Sequence, residues 1–117
     1  MMKKNLIAAL RLVVVSVSLW QGLSASAQAQ VEPTIHDAAY AYHAGQYQCA
    51  LSLYEQLAQQ GNAEAAERAG FMLLQANGHY GVQVRRDAGR ARALITQAAR
   101  ADRVAAGFML NMLENTD

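Results

Sequence analysis

Between Tyr47 and Ala58 the apolar side chains fall at Tyr47, Ala50, Leu51, Tyr54, Leu57 and Ala58. That i, i+3, i+4, i+7 stripe closes on one face of a helix and on no face of a strand. The same spacing recurs from Thr34 to the end of the chain, so an all-α fold is the reading that the sequence constrains most. Only Tyr80 to Val84 hints at the alternation of a strand, and it is short.

Five helices follow from the punctuation. Thr34 with Asp37 three positions later, after Pro33, looks like a variant capping box for a first helix ending near Gly45. The second helix stops at Gly61. Asn62 is placed to cap a third, through Ala66, Ala69, Gly70, Leu73 and Leu74, that ends at Asn77-Gly78. The stretch from Asn77 to Arg86 lacks helical periodicity and reads as an ordered loop. Asp87 then caps a fourth helix with Ala88, Ala91, Leu94, Ile95 and Ala98 inward, and Asp102 a fifth with Ala105, Phe108, Met109 and Met112 on one side. Alanine at the inner positions implies helices that cross closely, as antiparallel hairpins do.

The first thirty residues have a different logic. Met1-Met2-Lys3-Lys4-Asn5 precedes a largely apolar stretch, Leu6 to Trp20, and then the small polar run Gln21 to Gln30. This is the order of a secretory signal peptide, with small-x-small cleavage sites at Ala25-Ser26-Ala27 and Ala27-Gln28-Ala29. The charge-free core, Leu12 to Trp20, falls short of the roughly 20 apolar residues of a membrane span. An uncleaved anchor is the alternative; it would bury Arg11 at a cost of about 2.5 to 3.5 kcal/mol if central. The expected organisation is therefore a signal peptide over 1–29, a short linker over 30–33 and a folded domain over 34–117. The product would be periplasmic or secreted, with no stable membrane span after cleavage.

Removal of the signal leaves seven arginines and no lysine against nine acidic residues, a net charge of −2. Such a surface does not attract nucleic acid or anionic membranes strongly, and nucleic-acid function is not expected. Cys49 stands alone, so an internal disulfide cannot form; it is read as a buried inert thiol, with a disulfide-linked dimer as the alternative.

The segment Ala44 to Ala58 resembles the turn and second helix of a tetratricopeptide repeat, with Gly45 at the turn, Tyr47 two later, Ala50 at the crossing and Tyr54 facing the next unit. Gly61-Asn62-Ala63-Glu64-Ala65, then Gly70, Gly78, Gly81-Val82, Asp87, Ala91 and Ala98-Ala99, resemble one unit of the longer-looped Sel-one-like repeat family. The chain departs from that pattern at His79-Tyr80, which enlarge the loop, at Leu73 and Leu94, where an aromatic residue is commoner, and at Asp102, which stands where the family has glycine. The resemblance implies a short right-handed solenoid of antiparallel helix hairpins, about two units plus a C-terminal capping helix, with a groove for a peptide or partner domain. Because three or more units are usually needed for independent stability, a second copy of the chain is a further candidate partner.

Aligning the two first helices of those units puts Ala39, Tyr42, His43, Phe71, Leu74 and Gln75 on the groove face; Phe71 and Leu74 also suit a plain core role. Tyr and Phe supply contact area with few rotors. Arg85, Arg86 and Arg90 are candidate contacts for an acidic partner. No cofactor or metal is expected: His36 and His43 are two helical turns apart, about 10 Å, too far to share an ion. Nor is catalysis, since Ser52 lacks a Gly-x-Ser-x-Gly surround, Cys49 lies inside an amphipathic helix, and Gly78-x-x-Gly81 lacks the lysine of a phosphate loop. Glu64 and Glu67 are accounted for by the positive end of a helix dipole.

Overall fold

A computed structural model describes residues 31–116. The segment read as a signal peptide, 1–29, lies outside the described residues. Thr34 opens α1 (Ile35–His43) with both halves of a capping box: its backbone N–H donates to Asp37 Oδ2 at 2.8 Å, and the Asp37 N–H donates to its hydroxyl at 3.4 Å. The Thr34 N–H bond first, and then the Thr34 hydroxyl donating to the same Asp37 Oδ2 at 3.0 Å, hold the Asp37 carboxyl below the usual carboxylate range. α2 spans Tyr47–Gln59 and α3 spans Ala63–His79, the latter capped by Asn62 Oδ1, which accepts from Ala65 N–H at 2.9 Å. A 3-10 turn, Gly81–Gln83, precedes α4 (Ala88–Arg100), whose cap is Asp87 accepting from Arg90 N–H at 3.0 Å. α5 spans Val104–Glu114. The described residues contain no strand, and the residues from Tyr80 to Val84 that hinted at one hold the 3-10 turn instead.

Two readings of punctuation need correction. α3 does not stop at Asn77-Gly78 but runs on to His79, because Ala76 and Tyr80 on either side are buried and the Tyr80 N–H still reaches the Ala76 carbonyl at 2.9 Å. Asp102 does not cap α5. It sits at φ +63° as the residue that ends α4, and Arg103 takes the N-cap position without a side-chain bond.

Three of the joints share one geometry. After α1, Gly45 (φ +77°) donates to the Tyr42 carbonyl at 3.1 Å and Gln46 to the Ala41 carbonyl at 2.9 Å. After α2, Gly61 (φ +94°) donates to Ala58 at 2.9 Å and Asn62 to Leu57 at 3.0 Å. After α4, Asp102 donates to Ala99 at 3.0 Å and Arg103 to Ala98 at 3.1 Å. Each is a left-handed closure that satisfies the last carbonyls of a helix. Glycine adopts it freely, whereas Asp102 adopts it under strain.

Each helix packs against its neighbours in sequence, and the buried side chains form one core. α3 lies at its centre, with Ala65, Ala66, Ala69, Met72, Leu73 and Ala76 all buried. The α3–α4 crossing is close enough to exclude a single methyl group: a Cβ at Gly70 would stand 2.6 Å from Ile95 Cγ1 and 3.3 Å from both the Ala91 carbonyl oxygen and the Ile95 nitrogen. On α4 the inward residues are Ala91, Ile95 and Ala98, while Leu94 is half-buried and Ala88, expected inside, is exposed. On α5, Ala106 is buried and Met109, Leu110 and Leu113 pack half-buried against the core, leaving Ala105, Phe108 and Met112 outward. Cys49 is exposed on α2, which corrects its reading as a buried thiol. Among the described residues no helix is long and apolar enough to cross a membrane.

Candidate functional site

Tyr42 on α1 and Phe71 and Gln75 on α3 come together around one concavity of about 150 Å³, completed by Tyr54, Arg68, Met72 and Tyr80. These three are half of the expected groove face. His43 is exposed beside it, its ring edge-on to Tyr42 at 5.7 Å, whereas Ala39 and Leu74 are half-buried and line no part of the concavity.

An aromatic cluster builds one wall. The Tyr42, Tyr47 and Tyr80 rings lie 5.4, 5.8 and 4.8 Å apart pairwise, and the Tyr42 and Tyr80 hydroxyls share a 3.0 Å hydrogen bond. Burial, and then that bond, push the Tyr80 hydroxyl well above the ordinary tyrosine range. Tyr54 is raised too, by burial first, with the nearby Arg68 charge opposing. Arg68 stands at the rim, bonded through Nε to Glu64 at 3.1 Å. The site thus offers ring faces, paired hydroxyls, an amide and a guanidinium, a set suited to gripping a side chain with an apolar body and a polar end.

What holds Tyr80 there is the loop that follows it. The Gln83 side chain accepts from the Tyr47 N–H at 2.9 Å and donates to the Gly45 carbonyl at 3.0 Å, clipping the loop to the α1–α2 joint. Val84 is buried, and Asp87 N–H reaches the Leu73 carbonyl at 3.2 Å. Tyr80, Gln83 and Arg68 were absent from the sequence-derived set. A bulky tyrosine in a glycine-rich loop was the one local sign that Tyr80 had somewhere to go.

The arginines divide. Arg85 and Arg86 are exposed, with no ion pair among the described residues, and remain available to an acidic surface. Arg90 is already engaged, by Glu55 of α2 and, at 4.0 Å, by Asp87. It borders a second concavity of about 200 Å³ with Glu55, Ala58, Leu94 and Gln97. Glu67 is buried, not merely placed near a helix start, and accepts from Arg103 at 2.8 Å, which ties α3 to the α4–α5 joint and holds the Arg103 guanidinium pKa above its usual value. Among the described residues no three His, Cys, Asp or Glu side chains gather as a metal ion would need, and no buried side-chain polar atom lacks a partner.

Comparison of the chain with protein-family models, with curated proteins and with solved structures returns no match.

Proposed function

We propose that the chain is an exported, non-catalytic interaction module, an adaptor or scaffold that holds a peptide or a partner domain in a helical-repeat groove. The observation that carries this reading is the α1–α3 concavity, where Tyr42, Phe71 and Gln75 meet Tyr80 and Arg68 on one surface. Recognition by rings with a polar tip, on rigid helices, needs little reordering on binding. The left-handed closure shared by three joints supports reading the helices as successive antiparallel hairpins of the Sel-one-like or tetratricopeptide type, stacked as a short right-handed solenoid. Export rests on the amino-terminal sequence alone. Arg85 and Arg86 extend the surface toward an acidic partner.

Crosslinking and mass spectrometry of the protein in its native envelope test the proposal. Stoichiometric crosslinks to a specific partner, lost on Tyr42→Ala and Phe71→Ala, are expected; crosslinks unaffected by both substitutions would remove the groove from the account. A second reading, a homodimeric structural or assembly protein whose groove holds nothing, is favoured by the exposed apolar side chains of α5. Only self-crosslinks in the same experiment would select it.

A further inference from the structure

We infer that the α1–α3 concavity selects a partner segment that sets one apolar side chain beside a side-chain carboxylate, and that Glu64 holds Arg68 as an internal stand-in for that carboxylate. This rests on the groove reading and narrows it to one chemistry. The floor is apolar and aromatic: Tyr54, Met72 and Tyr80 are buried, with Phe71 half-buried beside them, and the space of about 150 Å³ suits one leucine-sized side chain. Every polar group on the lining is neutral or positive. Whichever hydroxyl donates in the Tyr42–Tyr80 bond, one O–H proton is left over. Gln75, exposed at the rim, adds its amide N–H groups. Arg68 bonds Glu64 through Nε alone, and its two terminal nitrogens make no bond among the described residues. A surplus of donors with no carboxylate among them calls for a charged acceptor.

Glu64 supplies that acceptor only loosely. It stands one helical turn from Arg68 on α3, and the two side chains are 40% and 52% exposed. An exposed pair at that spacing is worth about a factor of two as an equilibrium constant, so a carboxylate delivered by a segment already anchored on the floor displaces it readily. Arg68 and Gln75 lie seven residues apart on α3, about 10 Å, which is the reach of roughly three extended residues. Both are exposed, so a chain runs past either end instead of stopping inside, and the carboxylate is that of an aspartate or glutamate and not of a chain terminus. A lysine in its place would meet Arg68 with only the engaged Glu64 to balance it.

Amide NMR of the isotope-labelled protein, titrated with end-capped peptides of equal length, tests this. Their central residues are Glu-Leu-Glu, Gln-Leu-Gln, Lys-Leu-Lys or Glu-Ala-Glu, and a further peptide ends in Gln-Leu with a free carboxylate. Glu-Leu-Glu should shift the amides of Tyr42, Phe71 and Gln75 and bind about fivefold tighter than Gln-Leu-Gln, with Lys-Leu-Lys weaker than both. Loss of the leucine should cost about tenfold. Arg68→Gln should erase the difference between Glu-Leu-Glu and Gln-Leu-Gln, while Glu64→Gln should tighten Glu-Leu-Glu about twofold and leave Gln-Leu-Gln unchanged. Neither side chain is buried, so the variants should otherwise keep the parent spectrum. Lys-Leu-Lys binding at the same amides as tightly as Glu-Leu-Glu, or Glu64→Gln weakening Glu-Leu-Glu, overturns the carboxylate and leaves the groove standing; so does tightest binding by the free chain end. Amides of the groove that respond to none of the peptides would remove the groove reading as well.

Discussion

Replacing Gly70 by alanine should destabilise the domain, although alanine is the better helix former. In a helix interior the exchange by itself favours folding by about 0.5–1 kcal/mol. Against it stands the crossing with α4, where the new methyl would lie 2.6 Å from Ile95 Cγ1. Carbon atoms prefer about 3.5–4.0 Å, so roughly 1 Å must be found. Ile95 is fully buried and β-branched, with a stiff first rotor, and the 3.3 Å contacts with the Ala91 and Ile95 backbone would remain wherever its side chain went. The two helices have to part. Overpacking of this kind costs about 1–3 kcal/mol, which leaves a net loss of about 0–2.5 kcal/mol, centred near 1, and at that centre a fall in Tm of about 4–8 °C for a domain of this size. Ile95→Ala removes the obstructing atom and costs about 2–5 kcal/mol through the cavity it leaves. In that background the 3.3 Å backbone contacts remain but the 2.6 Å clash is gone, so Gly70→Ala should become nearly neutral, within about 0.5 kcal/mol. Urea unfolding of the four proteins of the cycle, followed at 222 nm, measures the coupling, expected to be about 1 kcal/mol. A Gly70→Ala variant more stable than the parent, or one whose cost is not reduced by Ile95→Ala, would refute the close crossing.

Asp102→Gly should relieve the left-handed strain at φ +63°. Part of that gain is returned through the freer unfolded chain, so a net stabilisation of about 0.5 kcal/mol and a Tm higher by about 2–4 °C are expected in thermal melts; a lower Tm would mean that the aspartate contributes more than its backbone cost. The raised Tyr80 hydroxyl favours the neutral form in the folded state, so its stabilisation is complete below about pH 10 and is lost as pH rises above that. Absorbance titration at 295 nm should show Tyr80 ionising only together with unfolding, and Tyr80→Phe should shift the alkaline transition upward. The lowered Asp37 carboxyl acts with the opposite sign: its contribution holds above about pH 4 and disappears as pH falls through its folded value, so Asp37→Asn should flatten the acid limb of a stability–pH profile measured by urea midpoints.

The helices were legible because their signals are local. Thr34, Asn62 and Asp87 each reach a backbone N–H three residues on, and a reach that short can be read from residue type and spacing. Asp102 carries the same side chain as Asp87 but closes a helix instead of opening one, and only the backbone path distinguishes the two roles. Which face of α5 turns inward was not legible for another reason: Val104 to Leu113 is almost wholly apolar, so its sequence offers little contrast between faces, and contact with α4 selects Ala106, Met109, Leu110 and Leu113. The candidate site was half legible. Tyr42, Phe71 and Gln75 followed from helical register, whereas Tyr80, Gln83 and the buried Glu67–Arg103 pair join residues more than thirty positions apart, which periodicity along one helix does not report.

The recurrence of one closure at Gly45, Gly61 and Asp102 bears on how such a chain changes length. The stretch from Asn62 to Asp102 begins just after one left-handed residue and finishes on another. A tandem copy of that stretch, arising by gene duplication or by splicing in the laboratory, would meet both its flanks through joints the protein already makes, and no new turn chemistry would have to be invented.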